Sequence, residues 1–407
     1  MTRMIVSTEM RQLIMRKATM RGLLIVATSI ILVQPGVQAQ SFVVSVSNPT
    51  DSDRPDEVIE LDWTTVTQHD ASFSEKRTRV VDAGTGDEVL SQVLDRDADG
   101  TPDALLFLVS LWPNETRTYR VEAHGRRELK PRVDVMHDAY RDDVAWESDR
   151  IAFRTYGRGL WETEEFEPLV SSGIDVWAKR VRDLIVRKWY GKGYAEYHVD
   201  SGEGADFYSV GPTLGAGGTA VFVGDELIRA ENFADYRIIA EGPIRIIFEL
   251  IYPKRADSEL SITETKRITM DAGQYLFKSE STFQTADGGE LDYAVGFVKR
   301  KEGVVGSSKR STAGWMWLSV WGPMERNNGG HGNLGTAALL PTARVLDVDE
   351  TDDYYLARLR AKSGEPTVQY VGAGWTASGD FTSVEDWWDM LDRFAARLEH
   401  PFGVTVK

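Results

Sequence analysis

The chain has 407 residues, a formal net charge of −16, and no cysteine. An acidic balance of that size repels nucleic acid and anionic membranes except where cations cluster. Without cysteine there is no disulfide framework, thiol nucleophile or thiolate metal site, so stability must come from burying one large core or two smaller ones.

In chain order, Arg16, Lys17 and Arg21 precede an apolar run from Leu23 to Val33, followed by Pro35 and the small-residue exit Val37-Gln38-Ala39. Charge, length and exit chemistry are those of a secretory signal peptide over residues 1–39, and the run is short for a bilayer span. Its removal takes away five cations (Arg3, Arg11, Arg16, Lys17, Arg21) and one anion (Glu9), leaving a net charge of −20. The mature chain is expected to be periplasmic or secreted, with no membrane attachment after cleavage.

Beyond residue 40 the pattern is of strands. VVSVSN, VIELDWTTV, ALLFLVSL and RTYRVEAH alternate or run apolar in short pieces, punctuated by Gly, Asp, Asn and Pro, and the pattern continues through RIIFELIYP, ITETKRITMD and YLFKSESTFQT. Short spacing with many turns predicts an all-β chain, a large antiparallel β-sandwich, rather than alternating βα units. A boundary near residues 125–135 divides an N-terminal strand layer or small β-domain (40–130) from a main sandwich (131–407). A short helix near Ile174–Lys188 is a weaker expectation. The clear helix is Val384–Leu398, where Trp387, Trp388, Leu391, Phe394, Ala395 and Leu398 make an apolar face and Thr382 with Glu385 makes a capping box.

Asp95, Asp97, Asp99 and Asp103, with Gly100 at the turn, form the first half of a calcium-loop pattern. The twelfth-position Glu is absent and the flanks read as strands, so the pattern serves equally as a structural calcium loop and as an Asp/Gly-rich hairpin turn. No catalytic cofactor is required. The next candidate is Tyr140 to Tyr156, where Trp146, Glu147, Asp149, Arg150 and Arg154 recur at strand spacing. One face can show Glu147 and Asp149 to a cleft, or form a salt-bridged surface.

Chemistry concentrates between Gly173 and Thr219. Lys179, Arg180, Arg182, Arg187, Lys188 and Lys192 lie among Trp177, Trp189, Tyr190, Tyr194 and Tyr197. The aromatic rings can stack on sugars or fill a core, and the cations can hold a carboxylate or neutralise this protein's own acids. Then follows Tyr197-His198-Val199-Asp200-Ser201-Gly202-Glu203-Gly204-Ala205-Asp206-Phe207-Tyr208. A histidine flanked by tyrosines and acids is equipped to move protons near neutral pH. The glycines around Glu203 allow a tight turn or close backbone approach. The glycine-rich Gly211–Gly218 run lacks the lysine of a phosphate loop. The Trp315–Trp321 strand and the Gly329–Gly335 loop carrying His331 are further candidates to border a cleft.

At these residues a resemblance emerges. DVWAKR, KWY, YHVDSGEGADFYSVGPTLGAGG, AWESDRIAFRTYG, NFADYRI with GPIRIIFEL, and the closing GAGW…GDF…W helix resemble a family of secreted bacterial β-sandwich proteins long labelled a domain of unknown function and found beside polysaccharide-degrading enzymes. The likeness runs from about residue 41 to the C-terminus. It implies a sandwich similar to galactose mutarotases. It also implies, through relatives described as oligosaccharide dehydratases, elimination of water from a non-reducing-end uronic acid, as in ulvan-type oligosaccharides, to leave a 4,5-unsaturated sugar.

Placed on the matching stretch, that chemistry assigns Lys179 and Arg180 to the substrate carboxylate. The base is His198 or a tyrosine held as phenolate, the acid is Tyr194, Tyr197 or Tyr208, and the sugar stacks on Trp177 and Tyr190, with Glu203 and Asp206 in binding roles. The partner is an acidic oligosaccharide. Rival readings are a polysaccharide lyase, a glycoside hydrolase using Glu147 with Glu203 or Asp206, a mutarotase, and a non-catalytic carbohydrate-binding protein. The last predicts aromatics on an open face and no buried titratable cluster.

Overall fold

The structure, a computed structural model, describes residues 40–161, 168–253, 261–299, 305–310, 314–324 and 330–407. The expected signal peptide and Gly329 lie outside these residues. Every strand ladder among them is antiparallel, as the short, turn-punctuated runs require.

At the centre is an eight-stranded sheet in the order Asp235–Glu241, Arg245–Tyr252, Thr263–Asp271, Leu276–Gln284, Pro366–Trp375, Asn333–Pro341, Trp315–Pro323, Val305–Arg310. Its inner face carries Phe248, Ile268, Met270, Phe277, Leu318, Ala338 and Val371 into one continuous core. Two five-stranded sheets contribute the other side of that core. One is built around Ala216–Val223, Glu290–Val298 and Tyr354–Lys362, and supplies Val221, Val295 and Phe297. The other has the order Gly204–Asp206, Asp175–Lys179, Ala152–Tyr156, Asp143–Ser148, Val133–Asp138, and supplies Trp146, Phe153 and Val176. The result is a large antiparallel β-sandwich.

The outer face of the eight-stranded sheet is covered at two places. The helix Val384–Glu399 lays Trp387, Leu391 and Phe394 against Leu276, Trp317 and Leu339. Its cap sits one residue later than expected. Ser383 accepts from the Asp386 N–H, and the Asp386 carboxylate accepts from the Ser383 and Thr382 N–H groups, which no Glu385 geometry provides. Elsewhere Leu94, Ala104 and Leu106 of the N-terminal layer pack on Ile244 and Ile247.

That N-terminal layer has its own core of Val44, Val46, Ile59, Leu105, Phe107 and Val121 between a three-stranded and a five-stranded sheet. The edge of the five-stranded sheet is the C-terminal strand Gly403–Val406, paired with Ser41–Ser47. Sequence position alone puts residues 403–406 with the main sandwich; hydrogen bonding puts them in the first layer.

The helix expected near Ile174–Lys188 is instead a strand, Asp175–Lys179, followed after a turn by a short helix, Val186–Lys192. Alternation explains the strand: Val176 and Ala178 enter the main core, whereas Asp175, Trp177 and Lys179 point the other way. Among the described residues, no helix is long and apolar enough to cross a membrane.

Candidate active site

The outer face of the sheet Val133–Asp206 has an unusual composition for a covered surface. Period-two alternation places Asp143, Ala145 and Glu147 from one strand, Ala152, Arg154 and Tyr156 from the next, Asp175, Trp177 and Lys179 from the third, and Asp206 from the fourth on one side. Register then builds rows. Glu147, Ala152, Trp177 and Asp206 lie side by side, as do Ala145, Arg154 and Asp175, and Tyr156 faces Asp143. The helix Val186–Lys192 and the segment up to Ser201 cover this face. Trp177, Trp189, Tyr190 and Tyr197 pack beneath the cover with Ile185 and Val186.

At the centre is Arg154, buried, with its guanidinium forked between acids. It donates to Asp175 Oδ2 from Nε (3.0 Å) and Nη2 (2.6 Å), and Nη2 also reaches Asp206 Oδ2 at 3.1 Å. Nη1 donates to the Tyr197 hydroxyl at 3.1 Å and lies 3.8 Å from Asp143 Oδ2. The Tyr156 hydroxyl donates to Asp175 Oδ2 and that of Tyr190 to Asp143 Oδ2, each at 3.1 Å. His198 Nε2 closes the network 3.0 Å from Asp206 Oδ2. Arg141 roofs it, its guanidinium 5.4 Å from the Tyr190 ring centre and 5.6 Å from that of Tyr197.

Three carboxylates thus surround one buried guanidinium, and removing that much negative charge from water is costly. Burial accordingly pushes the Asp143 carboxyl up to about 7, and burial with the neighbouring Asp206 charge raises Asp175. Burial also raises the phenols, Tyr197 to about 12 and Tyr156 and Tyr190 well above the usual range. Tyr156 and Tyr190 keep their protons and donate them to Asp175 and Asp143, whereas the Tyr197 hydroxyl accepts from Arg154. The face holds acids poised to exchange a proton, a histidine at its edge and fixed hydroxyl donors. Its least buried member is His198, 8% exposed, beside Tyr194, 49% exposed, whose ring centre is 4.6 Å from the imidazole.

The other expected site residues fall into distinct places. Lys179 is fully buried, its Nζ 2.6 Å from Glu147 Oε2, while Glu147 Oε1 accepts the Ile185 and Val186 N–H groups at 2.7 Å. That pair pins the start of the short helix to the sheet and leaves Lys179 no approach to a ligand. Trp177 is fully buried, between Trp189 (5.6 Å), Tyr190 (5.0 Å) and Tyr197 (4.8 Å), so protein rings take the faces expected for sugar. Tyr190 likewise stacks inward.

The remaining cations neutralise the chain's own acids: Arg180 pairs with Asp200, Arg182 with Asp380, Arg187 with Asp134, and Lys188 and Lys192 with Glu203. Arg180 also lies over the Trp375 ring. Glu203 sits in the turn before Gly204, whose φ of +106° and approach to Ala178 O, 2.0 Å from where a Cβ would be, exclude any side chain. Tyr208 belongs to the main core and lines a small cavity with Val320, Met324 and Leu334. Asp149 is not on the strand face beside Glu147; it turns to Arg132 at 2.6 Å.

In the N-terminal layer, carboxylate oxygens of Asp95, Asp97 and Asp99 come within 4.8 Å of one another, a donor set suited to a hard cation. Asp95 also accepts the Ala98 and Gly100 N–H groups at 2.7 Å, and Asp103 accepts that of Arg96 at 2.7 Å, as in a tight turn.

Sequence reasoning had passed over Asp143, Asp175, Arg141 and Tyr156 and had seen in Arg154 only a strand-spaced charge. The available signal was charged residues recurring on one alternating face of short apolar strands: Asp143 and Glu147 in DVAWES, Arg154 in AFRTY, and Asp175 and Lys179 in DVWAK.

A curated relative, "Uncharacterized protein P7" of Formosa agariphila, is 30% identical over 388 residues, covering 90% of this chain and 93% of its own. Two solved structures, a protein in glycosyl hydrolase family 38 from Enterococcus faecalis and an alpha-mannosidase from Enterococcus faecalis V583, align over 90% of this chain. TM-scores are 0.49 and 0.43, with 9% and 8% identity. The chain spans about half the length of each, 47% and 46%. The family model described as "Domain of unknown function (DUF4861)" matches residues 46–404, and the chain belongs to that family.

Proposed function

We propose that this protein is a carbohydrate-active lyase that eliminates water from the non-reducing-end uronic acid of an acidic oligosaccharide. The observation carrying the reading is the buried network His198–Asp206–Arg154–Asp175, whose least buried member, His198, lies beside the exposed Tyr194. A β-elimination needs a base for the C5 proton and an acid for the departing C4 oxygen. His198, its Nδ1 held by the Tyr194 carbonyl, takes the C5 proton at Nε2, which turns from Asp206 to the substrate. The C5–H electron pair becomes the C4=C5 bond, the C4–O bond breaks, and the hydroxyl leaves as water on receiving a proton from Tyr194, the exposed tyrosine beside His198. Lys179 is committed to Glu147, and Arg180 reaches the substrate carboxylate by exchanging its Asp200 partner for it.

Two rivals lose ground on specific contacts. A non-catalytic binding protein predicts aromatics on an open face, whereas Trp177, Trp189 and Tyr197 stack inward over a titratable cluster. A hydrolase using Glu147 needs a carboxylate free to reach substrate, and both Glu147 oxygens are occupied. Incubation with saturated uronate-terminated oligosaccharides, read by mass spectrometry and ultraviolet absorbance, tests the proposal. A product lighter by one water and carrying an unsaturated uronyl end supports it. An unsaturated product shortened by a sugar indicates a polysaccharide lyase, and a shorter saturated product indicates hydrolysis; either overturns it.

A further inference from the structure

The outer face of the eight-stranded sheet is apolar where it is covered and polar where it is not. Ile244 and Ile247 lie beneath the N-terminal layer, and Leu276, Trp317 and Leu339 beneath the C-terminal helix. Between these covers run Thr263–Asp271 and Leu276–Gln284, whose outward residues include Arg267, Thr269, Asp271, Lys278 and Glu280. A cleft of about 440 Å³ opens there, floored by those strands and walled by Tyr370 and Phe394 on one side and Glu60 on the other. Register sets Thr269 beside Lys278 and Lys278 beside Tyr370, so hydroxyl, ammonium and phenol form one row.

Each cation lining the cleft has an acid partner: Arg96 meets Glu60, and Arg397 Nε lies 3.1 Å from Glu57. Arg245 lies 2.6 Å from both Asp271 and Glu60, Lys278 lies 2.8 Å from Glu280, and Arg267 lies 2.8 Å from Glu249. A small anion therefore finds no uncompensated cation. What the cleft offers is a dense alternation of half-exposed donors and acceptors beside an aromatic ring, with Tyr370 braced edge-on by Phe394 at 5.2 Å and Trp315 at 5.5 Å. That pattern matches a ligand whose hydroxyls both donate and accept and whose ring C–H faces are apolar. The volume lies within the range of pockets that hold small ligands.

We propose that this cleft is a second saccharide-binding site, holding a chain segment through its hydroxyls and ring faces rather than its carboxylates. It lies across the sandwich from the His198 network, since the main core separates the two outer faces. It rests on the proposed function only for the ligand class, a saccharide, and needs no turnover there.

Calorimetric titration of His198→Ala protein with a uronate-terminated tetrasaccharide and its carboxyl-reduced neutral counterpart tests the idea. Both sugars are expected to bind. Adding Thr269→Trp, which fills the cleft from a half-exposed strand position, is expected to weaken both by roughly tenfold or more; Lys278→Ala gives a milder loss in the same direction. Circular dichroism and melting temperature show that each variant is folded. The proposal is overturned if neither sugar binds, or if the folded Thr269→Trp and Lys278→Ala variants both bind as the His198→Ala parent does. Wild-type protein that binds through the cleft yet releases no water defeats the proposed reaction and leaves the cleft standing. Turnover unaffected by filling the cleft, with binding unchanged, does the reverse.

Discussion

His198 and Asp206 meet with Nε2 3.0 Å from Oδ2, while the other ring nitrogen, Nδ1, lies 2.7 Å from the Tyr194 carbonyl oxygen. Both ring nitrogens therefore face acceptors. A carbonyl oxygen can only accept, so Nδ1 donates to Tyr194 and Nε2 is the nitrogen left to take a proton. His198→Ala is expected to lower kcat on a uronate oligosaccharide by about 10²–10⁴-fold, and Asp206→Asn to lower it while leaving KM within a few-fold. Steady-state kinetics check this; unchanged kcat in both variants removes His198 from the chemistry.

A second prediction concerns pH. Burial raises Asp143 from 3.8 to about 7, so the folded state holds a proton that the unfolded state gives up from pH 4 upward. Stability from this group is fully present below about pH 4 and is lost as pH rises through 7. Asp143→Asn, which keeps an acceptor for Tyr190, should flatten that fall and exceed wild type above pH 7 by about 1–3 kcal/mol. Thermal melts from pH 4.5 to 8.5 decide it: parallel wild-type and variant curves contradict the assignment.

Lys179→Met should be severe for a structural reason rather than a catalytic one. It strands the Glu147 carboxylate in a dry site, at a cost of about 3–5 kcal/mol. Combining it with Glu147→Gln, which retains an acceptor for the Ile185 and Val186 N–H groups, should recover a large part of the loss. Denaturant unfolding of the four proteins forms the cycle, and additive losses would show that the two residues do not act as a pair.

The strands and the C-terminal helix were legible because their signals are local: alternation in FVVSVS, and an apolar stripe with a cap before Trp387. The site was legible only in part. His198, Tyr197 and Asp206 stood together in sequence, so their proximity needed no tertiary knowledge. Arg154, Asp143 and Asp175 come from three separate strands, and only register brings them together; each alone resembles a surface charge. The cations of 179–192 misled for the opposite reason. Their partners, Glu147, Asp134 and Asp380 among them, lie far off in sequence, so charges that look free along the chain are already paired in space.

The last strand yields a prediction of its own. Deleting Gly403–Lys407 removes the ladder in which Val44, Ser45, Val46 and Ser47 face Val406, Thr405, Val404 and Gly403. Hydrogen exchange should quicken at Ser41–Ser47 and stay unchanged at Asp143–Ser148. Equal quickening in both segments would show that the strand supports the whole sandwich instead of the first layer.

That pairing also sets a clock. The sheet begun by Ser41 cannot be finished until Gly403–Val406 has been synthesised, so the earliest segment of the fold waits for one of the last. Until then Ser41–Ser47 keeps an open edge able to recruit strands from other chains. For a chain cut short near residue 400, that open edge never closes and becomes a route to aggregation.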